Sequence, residues 1–258
     1  MTVHVAPGEG SAPDSRRFLG FDFTTLSEHR ILERIRQLAD APTFAYVVTP
    51  NVDHAIKLEA ARSDAGGDAL VDAYAGAALT VCDSRILLKL AAVSGIKLSL
   101  LPGSDMTRLL LETWTRPGDR VAVIGGTLEQ VDSLADRWPH IRFFHHEPPM
   151  HVLRDVNAQD AIADFVEAQK CNFNFFAIGA PQSEIVAHRI EQRGRAGGVA
   201  LCVGASIEFM TGVKRRAPRW IQRTSLEWAY RLGQEPRRLW RRYLLEGPRI
   251  FAIWWRQR

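Results

Sequence analysis

The chain has 258 residues, 46% hydrophobic and 24% charged, enough to bury a sizeable core as one large domain or one domain with an appendage. That composition argues against disorder, and with no uncharged apolar run near the roughly 18 residues that span a bilayer, and no basic start with an apolar block behind it, it argues against a transmembrane or secreted chain. The net charge of +4 is divided unevenly: residues 210–258 hold 13 Lys and Arg against 3 Asp and Glu, a net of +10, so residues 1–209 carry −6.

Taken in chain order, residues 1–16 are rich in Gly, Pro, Ser and Ala and predict a flexible leader. Residues 17–209 then read as an α/β body. Apolar runs of strand length at 44–48, 121–124, 173–178 and 200–203 each end in a turn-forming cluster, and helical patterns follow them. Continuous apolar strands alternating with helices predict a Rossmann-like parallel sheet covered on both faces, with its ligand site in the loops beyond the carboxyl ends of the strands. The pattern opening near Leu128 closes at Trp138-Pro139-His140. Three cysteines, Cys82, Cys171 and Cys202, are odd in number and far apart, which excludes a C-x-x-C metal or redox motif and fits a reducing cytoplasm.

Residues 210–258 predict a basic appendage of three short helices. Thr224-Ser225-Leu226-Glu227 fits a capping box, Gly233 can stop that helix, Pro236 can start the next, and Gly247-Pro248 separates the third. On a regular helix, Arg237, Arg238, Arg241 and Arg242 share an arc of about 140°, with Leu239, Trp240, Tyr243 and Leu244 opposite. Five of the seven tryptophans also lie here (Trp220, Trp228, Trp240, Trp254, Trp255). Arginine mixed with tryptophan suits an anionic membrane surface or a diphosphate; nucleic acid is disfavoured because no known nucleic-acid motif accompanies the charge.

Several constellations could carry chemistry. Gly125-Gly126-Thr127 joins a strand to a helix and can bring backbone amides to a phosphate, or be an ordinary tight turn. At another strand end, Thr49-Pro50-Asn51 can hold a sugar or cap a helix. An apolar segment delivers Asp83 to a third, as a proton acceptor or as the N-cap of the helix that follows; the local sequence favours the cap. The run from His145 to His151 reads as a proline-stiffened extended loop and not as a metal site, because no second cluster completes it. His54 and His188 are expected on helix surfaces, and Ser183 lacks the G-x-S-x-G surroundings of a nucleophile.

The runs Arg216-Ala-Pro-Arg-Trp220, Leu226-Glu-Trp-Ala-Tyr-Arg-Leu232 and Glu235-Pro-Arg-Arg-Leu-Trp-Arg241 closely resemble the carboxyl-terminal signature of the WecG/TagA/CpsF family, glycosyltransferase family 26. Upstream, Thr49-x-Asn51, Asp83, Gly103-Ser-Asp105, Ile124-Gly-Gly-Thr127, Pro148-Pro149, Gly179-Ala-Pro181, Gly204 and Gly212 follow the family's order. The resemblance implies an inverting, metal-independent glycosyltransferase without a cofactor, which moves a hexose-type sugar from a UDP-sugar donor to a polyprenyl-diphosphate-linked glycan acceptor in bacterial surface or exopolysaccharide biosynthesis. It implies a cytoplasmic enzyme lying peripherally on the inner face of the cell membrane; a homo-oligomer stays open. In the family's terms Asp83 is the catalytic base. Thr49, Asn51, Gly179, Pro181, Gln182 and Glu184 line the pocket, while Gly125, Gly126, Thr127, Arg231, Arg238 and Arg241 face the departing diphosphate. The chain departs from the family at Ser84, where a glycine is common, at Leu100, where an arginine precedes the Gly-x-Asp turn, and at Gln182-Ser183-Glu184, where the family has x-Q-E. These departures leave the donor sugar open and admit an alternative, a catalytically divergent membrane-surface binding protein on the same scaffold.

Overall fold

In the computed structural model residues 14–64, 66–224 and 226–257 are described. Residues 1–13 of the expected leader and Ser225 of the expected capping box lie outside them. The chain opens on an antiparallel hairpin, β1 (Ser15–Phe18) and β2 (Phe21–Thr24), that the sequence pattern did not announce. Its first residues belong to the stretch expected to be leader, and its tip buries Phe18, Leu19 and Phe21.

After α1 (Glu28–Ala39), the elements alternate as β3 (Ala45–Val48), α2 (Val52–Arg62), α3 (Asp68–Ala75), β4 (Leu79–Thr80), α4 (Arg85–Val93) and α5 (Gly103–Leu109). The second half runs β5 (Arg120–Ile124), α6 (Leu128–Arg137), β6 (Arg142–His146), α7 (Val156–Gln169), β7 (Phe173–Phe176), α8 (Gln182–Arg193), β8 (Val199–Cys202) and α9 (Ser206–Met210). The tail adds α10 (Arg219–Thr224), α11 (Glu227–Gln234), α12 (Pro236–Trp240) and α13 (Arg249–Arg256).

Strands β3 to β8 form one parallel sheet in the order β4-β3-β8-β7-β5-β6. Successive side chains point to opposite faces. Tyr46, Val48, Ile124 and Phe176 therefore enter one core with α2, α3, α4, α7 and α8, while Val47, Val121, Val123, Phe173, Phe175 and Leu201 enter a second with α1, α5 and α6. Both faces are covered, which is why the inner strands are mostly apolar, with Asn174 of β7 buried among them. The run around His145 is only partly a loop: His145 and His146 end β6, an edge strand paired in register with β5.

The end of the sheet where β5 begins is closed by buried charge. Arg36 of α1 binds Asp119 at 2.5 Å, also pairs with Asp40, and donates to Trp114 O; Asp119 further accepts the Arg116 amide at 2.7 Å.

The tail follows its expected punctuation in part. Pro236 occupies the first turn of α12 and α13 follows Gly247-Pro248. The first expected helix begins instead from Leu226, which makes no side-chain cap, while Thr224 closes α10 by donating to Ile221 O at 2.8 Å. Gly233 sits inside α11, whose last residue is Gln234. The expected two-sided helix is redistributed because α12 widens into a π-helical segment, Arg241–Glu246, whose longer turn breaks the 100° step. Leu239 is buried, Arg242 turns inward to Asp53, and Leu244 and Leu245 face out. Ile250 and Ile253 of α13 join the core of the body beside α2, and Trp254 donates to Ser94 Oγ at 2.8 Å. None of the described helices is long and apolar enough to cross a membrane.

Candidate active site

The site lies beyond the carboxyl ends of β3, β4 and β8. Strand β4 pairs for only two residues, after which the chain stays beside β3 through two further bonds, Val81 N to Val48 O and Asp83 N to Pro50 O. Asp83 therefore leaves the sheet at its rim. It does not cap α4: Ser84 does so, accepting the Leu87 amide at 3.3 Å, so the cap favoured by the local sequence is supplied one residue later and the Asp83 carboxylate stays available. Asp83 Oδ1 accepts the Gly103 amide at 3.3 Å.

Burial pushes the Asp83 carboxyl up to about 6; Arg231 and His54 oppose the shift, Glu227 adds to it, and the Gly103 hydrogen bond opposes it. Such a group is ionised near neutral pH yet holds a proton far better than a free carboxylate, as a general base needs.

Thr49 is buried and donates to Cys202 O at 2.8 Å, tying the end of β3 to that of β8. Asn51 caps α2 through the Asp53 amide at 3.0 Å. His54, expected on a helix surface, is largely buried instead. Its Nδ1 faces the Asn51 amide (3.4 Å) and Oδ1 (2.9 Å), and its Nε2 lies 3.4 Å from Glu184 Oε1, because the capping geometry folds the ring back over the start of α2. His188 is likewise drawn in, 3.2 Å from the hydroxyl of buried Tyr46. Glu184 sits in the first turn of α8, almost fully buried, with Oε2 lacking a partner among the described residues.

The neighbouring turns are more tightly engaged than their sequences suggest. Gly125 and Gly126 both have positive φ, and a side chain at Gly125 would meet Ile178 and the Ala177 backbone. The Gly125 amide already binds His146 O and the Thr127 amide binds Gln130 Oε1, so among the described residues Gly126 supplies the one unengaged amide of the three. Gly179 accepts the Ser183 amide and hydroxyl, Ala180 O accepts Lys57 Nζ at 3.0 Å, and Pro181 precedes α8. Gln182 donates to Ile178 O at 2.9 Å.

Of the three tail arginines expected here, Arg231 has the largest electrostatic effect on Asp83 and lies over the Phe209 ring at 5.1 Å. Arg238 pairs with Glu235 and is mostly exposed, and Arg241 is an exposed side chain over the Trp240 ring. The structure thus connects Asp83 to Thr49 through Gly103 and, by charge, to Arg231 and to His54, which contacts Asn51 and Glu184, and it engages Arg238 and Arg241 elsewhere. His54 and Glu227 were missed, although the Asn51-x-x-His54 spacing of a capping box was present to be read. Among the described residues no three His, Cys, Asp or Glu side chains form a cluster able to hold a metal ion.

The glycosyl transferase WecG/TagA/CpsF family matches residues 16–258. The chain belongs to that family. It is 27% identical over 147 residues, 55% of each chain, to an N-acetylglucosaminyldiphosphoundecaprenol N-acetyl-beta-D-mannosaminyltransferase of Staphylococcus aureus strain MW2. It is 28% identical over 137 residues, 51% of each chain, to the enzyme of the same name from strain NCTC 8325 / PS 47. The chain spans about half the length of the curated relatives it matches.

Proposed function

We propose that the protein is an inverting glycosyltransferase that moves a hexose-type sugar from a UDP-sugar to a sugar linked through diphosphate to a polyprenyl lipid, in bacterial surface or exopolysaccharide biosynthesis. The observation that carries this reading is Asp83, a carboxylate raised to about 6 at the rim of the sheet, within the field of Arg231. The relatives' names, which describe transfer to a diphosphoundecaprenol-linked sugar, supply the acceptor class.

In this reading Asp83 takes the proton of the acceptor hydroxyl as that oxygen attacks the anomeric carbon on the face opposite UDP. The bond from that carbon to the diphosphate oxygen breaks, UDP leaves with the electron pair, and the anomeric configuration inverts. Thr49 and Asn51 frame the sugar. Arg231 and the Gly126 amide meet the charge that grows on the diphosphate, with Arg238 and Arg241 reaching it once they leave Glu235 and Trp240. In this reading these donors do the work without a metal. Membrane association is supported by the apolar side chains that the tail leaves exposed among its arginines: Trp220, Trp240, Leu244, Leu245, Phe251 and Trp255. Phe251 and Trp255 lie on the face of α13 away from buried Ile250 and Ile253, so one helix can rest on the body and meet a lipid surface at once.

The test combines the purified chain, a panel of UDP-sugars, a lipid-linked acceptor and EDTA. Transfer should survive EDTA, decline below about pH 6 as Asp83 becomes protonated, and fall about 10²- to 10⁴-fold in Asp83→Asn, while calorimetry still detects UDP binding to that variant. A wild-type chain that neither binds UDP nor transfers any sugar would leave the membrane-surface binding protein as the reading.

A further inference from the structure

Among the ion pairs through which the tail meets the body, that of Arg216 with Asp105 has no part in the proposed reaction. Arg216, between α9 and α10, grips Asp105 with both guanidinium NH2 groups, at 2.5 and 2.8 Å, and both side chains are partly buried. A two-point contact of this kind fixes direction as well as distance. Asp105 lies two residues after Gly103, in the first turn of α5, and Gly103 is the residue whose amide holds Asp83 Oδ1.

The intervening turn transmits position. The Asp105 and Met106 amides both return to Pro102 O at 2.9 Å, and Thr107 Oγ1 donates to Gly103 O at 2.8 Å. At Gly103 itself a Cβ would stand 3.2 Å from Thr49 Oγ1, so the start of α5 is set directly against the end of β3. The other side of the pair is fixed too. Ala217 is buried, and Lys214 is tied to Glu208 of α9 by an ion pair at 2.7 Å and by its amide to Glu208 O.

We infer that Arg216 is a positioning residue that acts through Asp105 and the first turn of α5 to hold the Gly103 amide on Asp83, so that the seating of the tail sets the orientation of the catalytic carboxylate. This rests on the reading of Asp83 as the base. The groups whose charge bears on Asp83 are His54 from α2, Arg231 and Glu227 from α11, the Gly103 amide and Arg216 itself; the Cys82 thiol is its chain neighbour. Arg216 could therefore influence Asp83 by plain charge, and the experiment must separate charge from position.

The two accounts differ in sign at Asp105. Removing the Asp105 charge frees a cation near the site, and by charge alone that makes Asp83 harder to protonate. By position it slackens α5, weakens the Gly103 hydrogen bond and makes Asp83 easier to protonate. The test titrates the Asp83 carboxyl carbon by 13C NMR in the full chain, with Asp83→Asn assigning the signal, alongside kcat and KM for the UDP-sugar. Asp105→Asn and Arg216→Ala should both move the Asp83 midpoint upward, by roughly half a unit, and lower kcat about tenfold with KM within about twofold. Arg216→Lys keeps the charge but loses the two-point grip, and should fall between these and wild type. A downward shift in Asp105→Asn, or a wild-type midpoint in Arg216→Lys beside a shifted one in Arg216→Ala, overturns the proposal in favour of charge. The carboxyl titration needs no turnover, so a protein that transfers no sugar refutes the proposed reaction while the signs of these shifts still decide how Arg216 acts on Asp83.

Discussion

The two ends of the central sheet treat charge in opposite ways. Where β5 begins, Arg36 is answered by Asp119, Asp40 and the Trp114 carbonyl, and Asp119 takes an amide besides. Beyond the carboxyl ends of the strands, Asp83 receives one backbone hydrogen bond at 3.3 Å, and Glu184 keeps one oxygen with no partner among the described residues. The closed end is organised for stability. The open end keeps groups under-paired, which costs stability and leaves them able to exchange protons or accept a ligand.

The largest effect should come from opening the closed end. Arg36→Ala strands a buried Asp119 carboxylate and should lower unfolding stability by about 3–5 kcal/mol, read as a shift of the urea midpoint at constant slope. Asp83→Asn should act in the reverse direction. Its native pKa of about 6 lies above the ordinary 3.8, so between those values the native state binds the proton that the unfolded chain has lost. Wild-type stability then falls as pH rises through that window and stays lowered above it. The asparagine variant escapes this loss and should be more stable than wild type by roughly 1–3 kcal/mol at pH 7.5, with the gain vanishing near pH 4. Equal stability of the two at both pH values would contradict the raised pKa. The smallest effect sharpens the open end alone: Arg231→Gln removes the main cation opposing Asp83 protonation and should move the acid limb of the transfer rate upward by about half a pH unit.

The parallel sheet was legible because its inner strands are buried on both faces and read as largely apolar runs, interrupted in β7 by Asn174. Strands β1 and β6 escaped because each sits at a margin: β1 carries Ser15, Arg16 and Arg17, and β6 has two half-buried Phe followed by two half-buried His after an exposed arginine. The candidate residues Thr49, Asn51 and Asp83 were found as short polar groups at strand ends, but sequence could not divide the capping of α4 between Asp83 and its neighbour Ser84, since either side chain can reach a helix amide. Arg216 and Asp105 were both present in recognised runs. Their pairing joins positions 111 residues apart, and only the folded chain brings them together. In the tail the expected helical faces failed where a π turn changed the step, a feature that no periodicity at 3.6 residues reveals.

The brevity of β4 has a consequence at both ends of its short path. With only Leu79 and Thr80 in the ladder, that margin of the sheet is too small a template to recruit a stray strand from another molecule. The same early departure keeps the acid that follows out of the regular weave, hung over the lip of the fold, the place from which the proposed reaction has it meet an incoming alcohol.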